Sequence, residues 1–251
     1  MSKPRIALQA YTVRDDLSRD FAGTLASIAR IGYPAVQMAW FSAATPPTPE
    51  IRRVLDDVGL AVAGCHVMLE ELERRLEWEV ERCLALGTPD VIIPWLAPER
   101  RSGYRRLAEL VNGLGARCKE LGGRLHYHNH EFEYETEDGQ PAIDILLDNT
   151  DPTLVKFEPD VYWIRFAGAD PAAVIRRYAG RCPIVHLKDM TNSPNPTYAE
   201  VGEGVIDFRP IFDAAESQGV EWYVAEQDWT ARPPLEAAAL SLEHLREWGK
   251  L

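Results

Sequence analysis

The sequence has few cysteines, a shortage of basic charge and no long apolar run, and each shortage excludes a class of protein. Its four cysteines form no CxxC pair, so a zinc ribbon or a dithiol redox motif is unsupported and buried free thiols are expected. No stretch approaches the roughly 20 apolar residues of a membrane-spanning helix. The start of the chain also lacks the apolar core of a secretion signal. We therefore expect a cytoplasmic protein without a membrane partner.

Basic residues are outnumbered, with 27 Lys and Arg against 39 Asp and Glu, which gives a net charge of -12 at pH 7. Proteins that bind a nucleic-acid backbone need a basic surface. The densest basic clusters, at residues 100–101 and 105–106, fall in a stretch with the apolar spacing of an amphipathic helix, so they are expected on its solvated face. No nucleic-acid partner is expected.

Short apolar runs alternate eight times with longer segments of helical spacing. Such runs are typical of parallel strands that are buried on both faces. The predicted strands are residues 5–11, 35–39, 60–66, 90–94, 124–129, 154–158, 184–188 and 222–226. The predicted helices are residues 21–31, 50–58, 70–86, 103–121, 142–148, 172–178, 208–218 and 235–248. Glycines follow several of these helices, where a left-handed C-cap is expected.

This alternation predicts an α/β fold, a single (β/α)8 TIM barrel that forms one domain over residues 1–251. The length of 251 residues matches a fold that typically needs about 250. A doubly wound open sheet is disfavoured, because no GxGxxG motif follows the first strand. In a TIM barrel the reaction takes place at the C-terminal ends of the strands, so polar residues there are candidates for function.

Histidines and carboxylates gather at these predicted strand ends. Alternate residues of a strand point the same way. The residues that should share a face are His126, His128 and His130; Glu158 and Asp160; His186 and Lys188; and Glu226 and Asp228. Such groups are costly to bury together unless they pair or bind a metal ion. We expect one divalent ion. The ligands suit manganese, zinc, cobalt or iron better than calcium. They do not distinguish among these four metals and magnesium.

Five segments carry a resemblance to a known family: LHYHNHEFEY, FEPDVYWIRFAGADP, VHLKD, EVGEGVIDF and YVAEQD. In this order they resemble the sugar phosphate isomerase and epimerase family, which has the xylose isomerase-like barrel. The opening IALQAYTVRDD is similar to that family's first strand and loop, so the resemblance covers nearly the whole chain. It implies a sugar-like substrate and a metal ion that is held by Asp160, His186 and Glu226.

The fifth strand departs from the family pattern. Many members have Glu-x-His there, whereas this chain has His128-Asn129-His130. His128 is the positional match for a fourth metal ligand, while Glu133 could supply an oxygen from the following loop, and both alternatives stay open. Trp163 stands where many epimerases have a histidine, three residues after the ligand aspartate, and is expected to contact the substrate.

Several polar residues have a functional and a structural interpretation. Lys188 should face the mouth, where its ammonium could stabilise an enolate. A plain ion pair between Lys188 and Asp189 or Glu158 is the structural alternative, and Glu158 itself is expected to have a supporting role. His126 lies deeper in its strand and is expected to be structural. His66 could bind substrate or be a core histidine.

The loops beyond the strands add further candidates. Glu203 lies in the segment VGEGVID, which could cover the pocket or form a plain turn. Tryptophans that follow strand ends could stack on a sugar or form a dimer surface, so a homo-oligomer is left open; they are Trp40, Trp95, Trp163 and Trp229. Few cations besides Lys188, Arg165 and Arg232 are available for a phosphate, which slightly favours an unphosphorylated sugar.

Together these residues predict proton abstraction beside a carbonyl, with the ion polarising two vicinal oxygens. The candidate catalytic groups are Glu133, Lys188, His130 and Glu226. Isomerisation or epimerisation of a sugar or keto-sugar is the first expectation. Dehydration of an inosose or keto-sugar is the alternative if an imidazole of His128-Asn129-His130 replaces the missing carboxylate. A sugar-binding barrel without catalysis is a third hypothesis, which the absence of metal binding would favour.

Overall fold

Eight parallel strands form the centre of the protein, as predicted. The structure is a computed structural model that describes residues 3–39 and 46–251. The strands are β1 (Arg5–Gln9), β2 (Ala35–Ala39), β3 (Ala61–His66), β4 (Asp90–Ile93), β5 (Arg124–His128), β6 (Val155–Glu158), β7 (Ile184–Leu187) and β8 (Trp222–Ala225). They are hydrogen-bonded in the order β6-β5-β4-β3-β2-β1-β8-β7, which is the order around a (β/α)8 barrel.

The barrel closes between β6 and β7, where the pairing is sparse. The Phe157 N–H donates to the Arg181 carbonyl at 2.8 Å, and the His186 N–H donates to the Pro159 carbonyl at 2.9 Å. An isolated parallel bridge joins Asp160 to His186 just beyond the end of β6. Two of the predicted metal ligands therefore meet at the seam of the barrel.

Helices cover the outside of the barrel. They are α1 (Arg14–Arg19), α2 (Phe21–Ile31), α3 (Thr48–Val58), α4 (Leu69–Ala85), α5 (Tyr104–Glu120), α6 (Ala142–Asp148), α7 (Val161–Phe166), α8 (Pro171–Arg177), α9 (Arg209–Ser217) and α10 (Pro234–Glu247). Eight of them match the predicted segments. The predicted left-handed C-caps are confirmed, for example at Gly32 and Gly59, whose φ angles are 111° and 73°.

Two short helices were not predicted, and both follow strands that carry the site. The first strand ends at Gln9 rather than at Tyr11, because residues 10–13 form a 3-10 helix whose Tyr11 N–H donates to the Gln9 side chain. This turn leads into α1. After β6, the Asp160 side chain accepts from the N–H groups of Tyr162 and Trp163 and so caps α7.

The inside of the barrel has an apolar layer below a polar one. The apolar layer is a small cluster that includes Ala7, Ala35 and Val224, and the main apolar core lies between strands and helices. Gln9, Gln37 and Glu226 lie two residues further along these strands and form part of the polar layer, since alternate residues share a face. The polar layer is therefore set at the C-terminal end of the barrel.

One further expectation about the chain agrees with the structure. Cys65, Cys83, Cys118 and Cys182 are all buried free thiols, as expected. Over residues 3–39 and 46–251, no helix has the length and apolar character that crossing a membrane requires.

Candidate metal centre and active site

Asp160, His186 and Glu226, the three ligands implied by the family resemblance, come together at the C-terminal mouth. Each offers one ligand atom, and these atoms all lie within 4.8 Å of one another. All three side chains are buried. Asp160 is held by its cap of α7 and by its own N–H, which donates to Asn129 Oδ1 at 3.0 Å. Its second oxygen, Oδ2, accepts no well-aligned hydrogen bond from the described residues but lies 3.0 Å from the Lys188 ammonium, so it already faces a cation.

The His186 ring is oriented by its two neighbours. Its Nε2 lies 2.7 Å from Gln37 Oε1, and its Nδ1 lies 2.9 Å from Glu226 Oε2. A metal ion at Nδ1 would replace the proton there, while the Nε2 proton is donated to Gln37, which is the usual supporting arrangement for a ligand histidine. Burial alone would lower the pKa of His186, but Glu158 and Glu226 outweigh burial and raise this pKa to about 10.

Lys188 shows how strongly this pocket attracts a cation. Its Nζ lies 3.0 Å from Asp160 Oδ2, 2.9 Å from Glu226 Oε2 and 3.0 Å from Asp228 Oδ2. Burial would lower the pKa of Lys188, but these three carboxylates outweigh burial and hold it well above its usual value. One ammonium cannot balance three carboxylates, so the donor set suits a divalent ion.

Glu158 lies one layer deeper and is surrounded by imidazoles. Its Oε2 lies 2.9 Å from His66 Nε2, 3.0 Å from His128 Nδ1 and 3.2 Å from His186 Nε2. Its Oε1 accepts from Gln37 Nε2 at 2.6 Å. The expected pair between Glu158 and Lys188 is wrong, because Lys188 follows β7 and reaches the carboxylates of the layer above. Glu158 with the three histidines forms a second group with metal-ligand spacing, which sequence reasoning missed.

His128, and not Glu133, lies beside the three implied ligands. The His128 Nε2 is 3.6 Å from Asp160 Oδ2. Burial, followed by the neighbouring His186, lowers the pKa of His128 to about 3, which leaves the neutral imidazole that a metal ion binds. We therefore retain His128 as the proposed fourth ligand.

Glu133 is turned away from the mouth. Its carboxylate accepts from the Tyr127 hydroxyl at 2.6 Å and from the His130 N–H at 2.8 Å. Among the described residues, neither of the two groups with metal-ligand spacing includes Glu133. Burial raises its pKa to about 7. The structure therefore places Glu133 where it holds the loop after β5.

His130 and Trp163 lie together next to the ligands. Their ring centroids are 5.2 Å apart, and His130 also stacks on Phe132 at 5.7 Å. Neither His130 Nδ1 nor Trp163 Nε1 has a hydrogen-bond partner in the described part of the chain. Burial holds the pKa of His130 well below its usual value. His130 lines the cavity described below, although its Nδ1 is itself buried.

Glu203 is not brought to the same place. Its Oε1 lies 2.7 Å from His244 Nε2 on α10, and its side chain is 42% exposed. The loop that carries it is instead anchored by Asp189, whose carboxylate accepts from the N–H groups of Met190, Gly202, Gly204 and Ile206. The substrate contact of Glu203 stays a prediction. Sequence reasoning missed this role of Asp189, and the only feature of the sequence that marked the residue was its place in the segment VHLKD.

His126 lies at the opposite end of the barrel, which agrees with its expected structural role. Its Nε2 is 2.7 Å from Asp90 Oδ1, and Arg124 pairs with both Asp90 and Glu221. Burial would raise the pKa of Asp90, but His126 and Arg124 outweigh burial and lower it. These residues close the N-terminal end of the barrel.

A cavity of about 470 Å³ opens above the polar layer. Its walls include the predicted residues His66, His128, His130, Lys188 and Glu226. They also include Asp228, which was predicted to share a face with Glu226, and residues that sequence reasoning missed, among them Tyr11, Met68, Glu71, Arg75 and Glu79. Four tryptophans were predicted to follow strand ends. Trp95 lines the cavity and Trp163 packs against His130. Trp229 is exposed, and Trp40 lies outside the described residues.

Comparisons with known proteins agree with this geometry. An inosose dehydratase from Clostridium perfringens is 29% identical over 238 residues, which cover 84% of this chain and 76% of that protein. An inosose dehydratase from Geobacillus kaustophilus is 29% identical over 268 residues, which cover 88% and 85%. The crystal structure of a sugar phosphate isomerase/epimerase from Parabacteroides distasonis has the same fold, with a TM-score of 0.83, 23% identity and coverage of 98% and 94%.

The family follows from a match that spans most of the chain. The family model described as xylose isomerase-like TIM barrel matches residues 25–248. The resemblance predicted from the five segments is thereby confirmed. This chain belongs to the xylose isomerase-like TIM barrel family, a family of enzymes.

Proposed function

We propose that the protein is a divalent-metal-dependent dehydratase of an inosose or a keto-sugar. The observation that carries this proposal is the arrangement after β5. Glu133 is hydrogen-bonded to Tyr127, and His130 rather than Glu133 lines the cavity. An imidazole, and not a second carboxylate, is then the group that moves a proton on this side. The relatives named inosose dehydratase support the same reaction class.

Asp160, His186, Glu226 and His128 would hold the ion. Their mixed imidazole and carboxylate donors are compatible with manganese, zinc, cobalt, iron or magnesium. When bound, a divalent ion supplies a Lewis acid that makes the carbon next to a carbonyl more acidic. The excess of carboxylates around Lys188 supports the presence of such an ion.

The proton transfer is assigned to residues of this chain. The His130 imidazole, which lines the cavity, takes the proton from the carbon next to the carbonyl, and the electron pair moves toward the carbonyl oxygen. Lys188 stabilises the negative charge that develops there. The β-carbon–oxygen bond then breaks as His130 returns its proton to the departing hydroxyl. The products are an unsaturated ketone and water, and the enzyme is unchanged.

Isomerisation or epimerisation is the second candidate, because it shares the first step. Asp228 favours it, since this carboxylate lines the cavity, contacts Lys188 and is not one of the proposed ligands. In this reaction Asp228 or Glu226 would return the proton to carbon, and no bond to oxygen would break.

The test separates these functions by their products. The purified protein is analysed for bound metal, loaded with manganese or zinc, and incubated in heavy water with scyllo-inosose and a panel of keto-sugars. A product that is one water lighter and absorbs in the ultraviolet supports the dehydratase. An isomeric product that carries deuterium supports the isomerase or epimerase. Neither product, with the ion bound, supports a non-catalytic sugar-binding barrel.

A further inference from the structure

A chain of buried hydrogen bonds lies next to the proposed metal ligands. Its members are Gln9 on β1, Gln37 on β2 and Glu158 on β6, which we call the supporting layer. None of these three side chains is exposed to solvent. The layer contacts His186 and His128, two of the four proposed ligands, and its hydrogen bonds can be followed from a backbone N–H to each of these rings.

The two ends of this chain fix the orientation of both amides. At one end the Tyr11 N–H can only donate, and Gln9 Oε1 accepts from it at 3.3 Å. Gln9 Nε2 then faces Gln37 and donates to its Oε1 at 2.6 Å. At the other end the Glu158 carboxylate can only accept, and Gln37 Nε2 donates to its Oε1 at 2.6 Å. Both ends therefore require the same orientation of the Gln37 amide.

This orientation decides which nitrogen of His186 carries a proton beside the layer. Gln37 Oε1 lies 2.7 Å from His186 Nε2 and, as a carbonyl oxygen, can only accept. His186 Nε2 must therefore be the donor, and only Nδ1 can offer a lone pair to a metal ion. Nδ1 faces the mouth, where it lies 2.9 Å from Glu226 Oε2.

The same layer orients His128, but with the opposite choice of nitrogen. His128 Nδ1 lies 3.0 Å from Glu158 Oε2, so Nδ1 is the donor to this carboxylate. The lone pair is left on Nε2, which lies 3.6 Å from Asp160 Oδ2. The two rings come from different strands, and each turns toward the mouth the nitrogen that the layer does not engage.

The deeper group of Glu158 and three histidines is then a set of hydrogen bonds and not a second metal site. His66 Nε2 donates to Glu158 Oε2 at 2.9 Å, and His186 Nε2 lies 3.2 Å from the same oxygen. Each imidazole nitrogen that faces Glu158 carries a proton, so none of them offers a lone pair to an ion in this group. The ligand-like spacing of the group follows from three rings that surround one carboxylate.

We propose that the supporting layer is a positioning device, which keeps one proton on each of the two ligand histidines and directs His186 Nδ1 and His128 Nε2 to one divalent ion. Partners of this kind behind metal ligands typically contribute about 10- to 100-fold to metal affinity. This inference rests on the proposed function only in taking these two histidines as ligands, and it is independent of the reaction that follows.

Nitrogen-15 NMR of the histidine rings tests the proposal without turnover. Long-range proton–nitrogen spectra are recorded on the metal-free and the zinc-loaded protein, and the six histidines are assigned by single substitutions. We expect zinc on Nδ1 of His186 and on Nε2 of His128, with a proton on the other nitrogen of each ring. His66 should keep its Nε2 proton and bind no zinc.

Zinc on the other nitrogen of either ligand ring, or on His66, would overturn the role of the layer but leave a metal centre in place. Absence of zinc binding would overturn both the metal centre and this role. The heavy-water assay remains the separate test of the reaction.

Gln37→Leu measures what the layer contributes, because it removes the acceptor of His186 Nε2. Gln140→Leu is the matched control, at a half-buried position in the short hairpin of residues 136–141, outside the layer. In competition with a chromophoric chelator, zinc affinity should fall tenfold or more in Gln37→Leu and stay unchanged in Gln140→Leu.

The zinc-loaded Gln37→Leu protein should retain the His128 pattern, since Glu158 still accepts from that ring. Equal zinc affinities of the two variants would contradict the proposal. Should Gln37→Leu not fold, the spectra of the native protein decide.

Discussion

Replacing Glu133 by Gln should remove a pH dependence of folding stability that the native protein has between about pH 4.5 and 7. The side chain is fully buried behind the loop after β5. Burial raises the pKa of its carboxyl from 4.5 to about 7, although the Tyr127 hydroxyl and the His130 N–H donate to it. The folded protein therefore binds this proton more tightly than the unfolded chain does.

The sign and size of the effect follow from the two pKa values. The stabilisation from protonated Glu133 is complete below the unfolded pKa of 4.5 and is lost as the pH rises through about 7. The difference between these pKa values corresponds to about 3 kcal/mol of unfolding free energy, at about 1.4 kcal/mol for each unit of pKa. Solvent does not screen the carboxyl and so does not reduce this free-energy difference, because the carboxyl is not exposed.

Urea unfolding at about pH 4.5 and about pH 8 measures this loss. Gln can keep both contacts of Glu133, since its carbonyl oxygen can accept from the His130 N–H and its amide can donate to the Tyr127 oxygen. Relative to Glu133→Gln, the native protein should lose about 3 kcal/mol between the two pH values. Glu135→Gln, at an exposed neighbouring position, should follow the native protein. An equal difference between native and Glu133→Gln at both pH values would refute the reasoning.

Three further substitutions test the site. Glu226→Gln should weaken metal binding by about tenfold or more in competition with a chromophoric chelator; affinity equal to that of the exposed control Glu243→Gln would remove Glu226 from the ligands. Lys188→Met should leave the metal bound but lower turnover by about 10²-fold, because the developing negative charge loses its cation; unchanged turnover would make Lys188 structural. Asp189→Asn should lower the unfolding free energy by about 2 kcal/mol, since four N–H groups lose a charged acceptor; an unchanged urea midpoint would contradict this.

Much of the barrel and part of the site could be predicted because they depend on local patterns. Buried parallel strands are continuous apolar runs, so the eight strands were visible in the sequence. Alternation along a strand then puts Asp160, His186 and Glu226 at one mouth, since all parallel strands end on the same side. The structure brings these three together within 4.8 Å.

The other features depend on contacts that alternation does not encode. Glu133 follows a strand, but the 3-10 turn at Phe132–Tyr134 directs it to Tyr127, which lies on the outer side of β5. Lys188 has a long side chain, so its place on the strand does not determine which carboxylates its ammonium reaches. In the structure the ammonium pairs with Asp160 rather than with Glu158. Helix α4 is kinked at Arg75, where φ is -154° and ψ is 46°, without a proline or glycine to mark the kink, so the cavity wall that this helix forms could not be predicted.

The most direct test of the proposed metal-dependent dehydration is activity measured against bound metal. The protein is stripped with a chelator and then titrated with manganese or zinc while elemental analysis and ultraviolet absorbance follow each addition, with scyllo-inosose as the substrate. We predict that formation of the unsaturated ketone rises in proportion to bound metal, reaches its limit at one ion per chain, and is lost in Glu226→Gln. Undiminished dehydration by the stripped protein, or metal binding that does not change in Glu226→Gln, would contradict it.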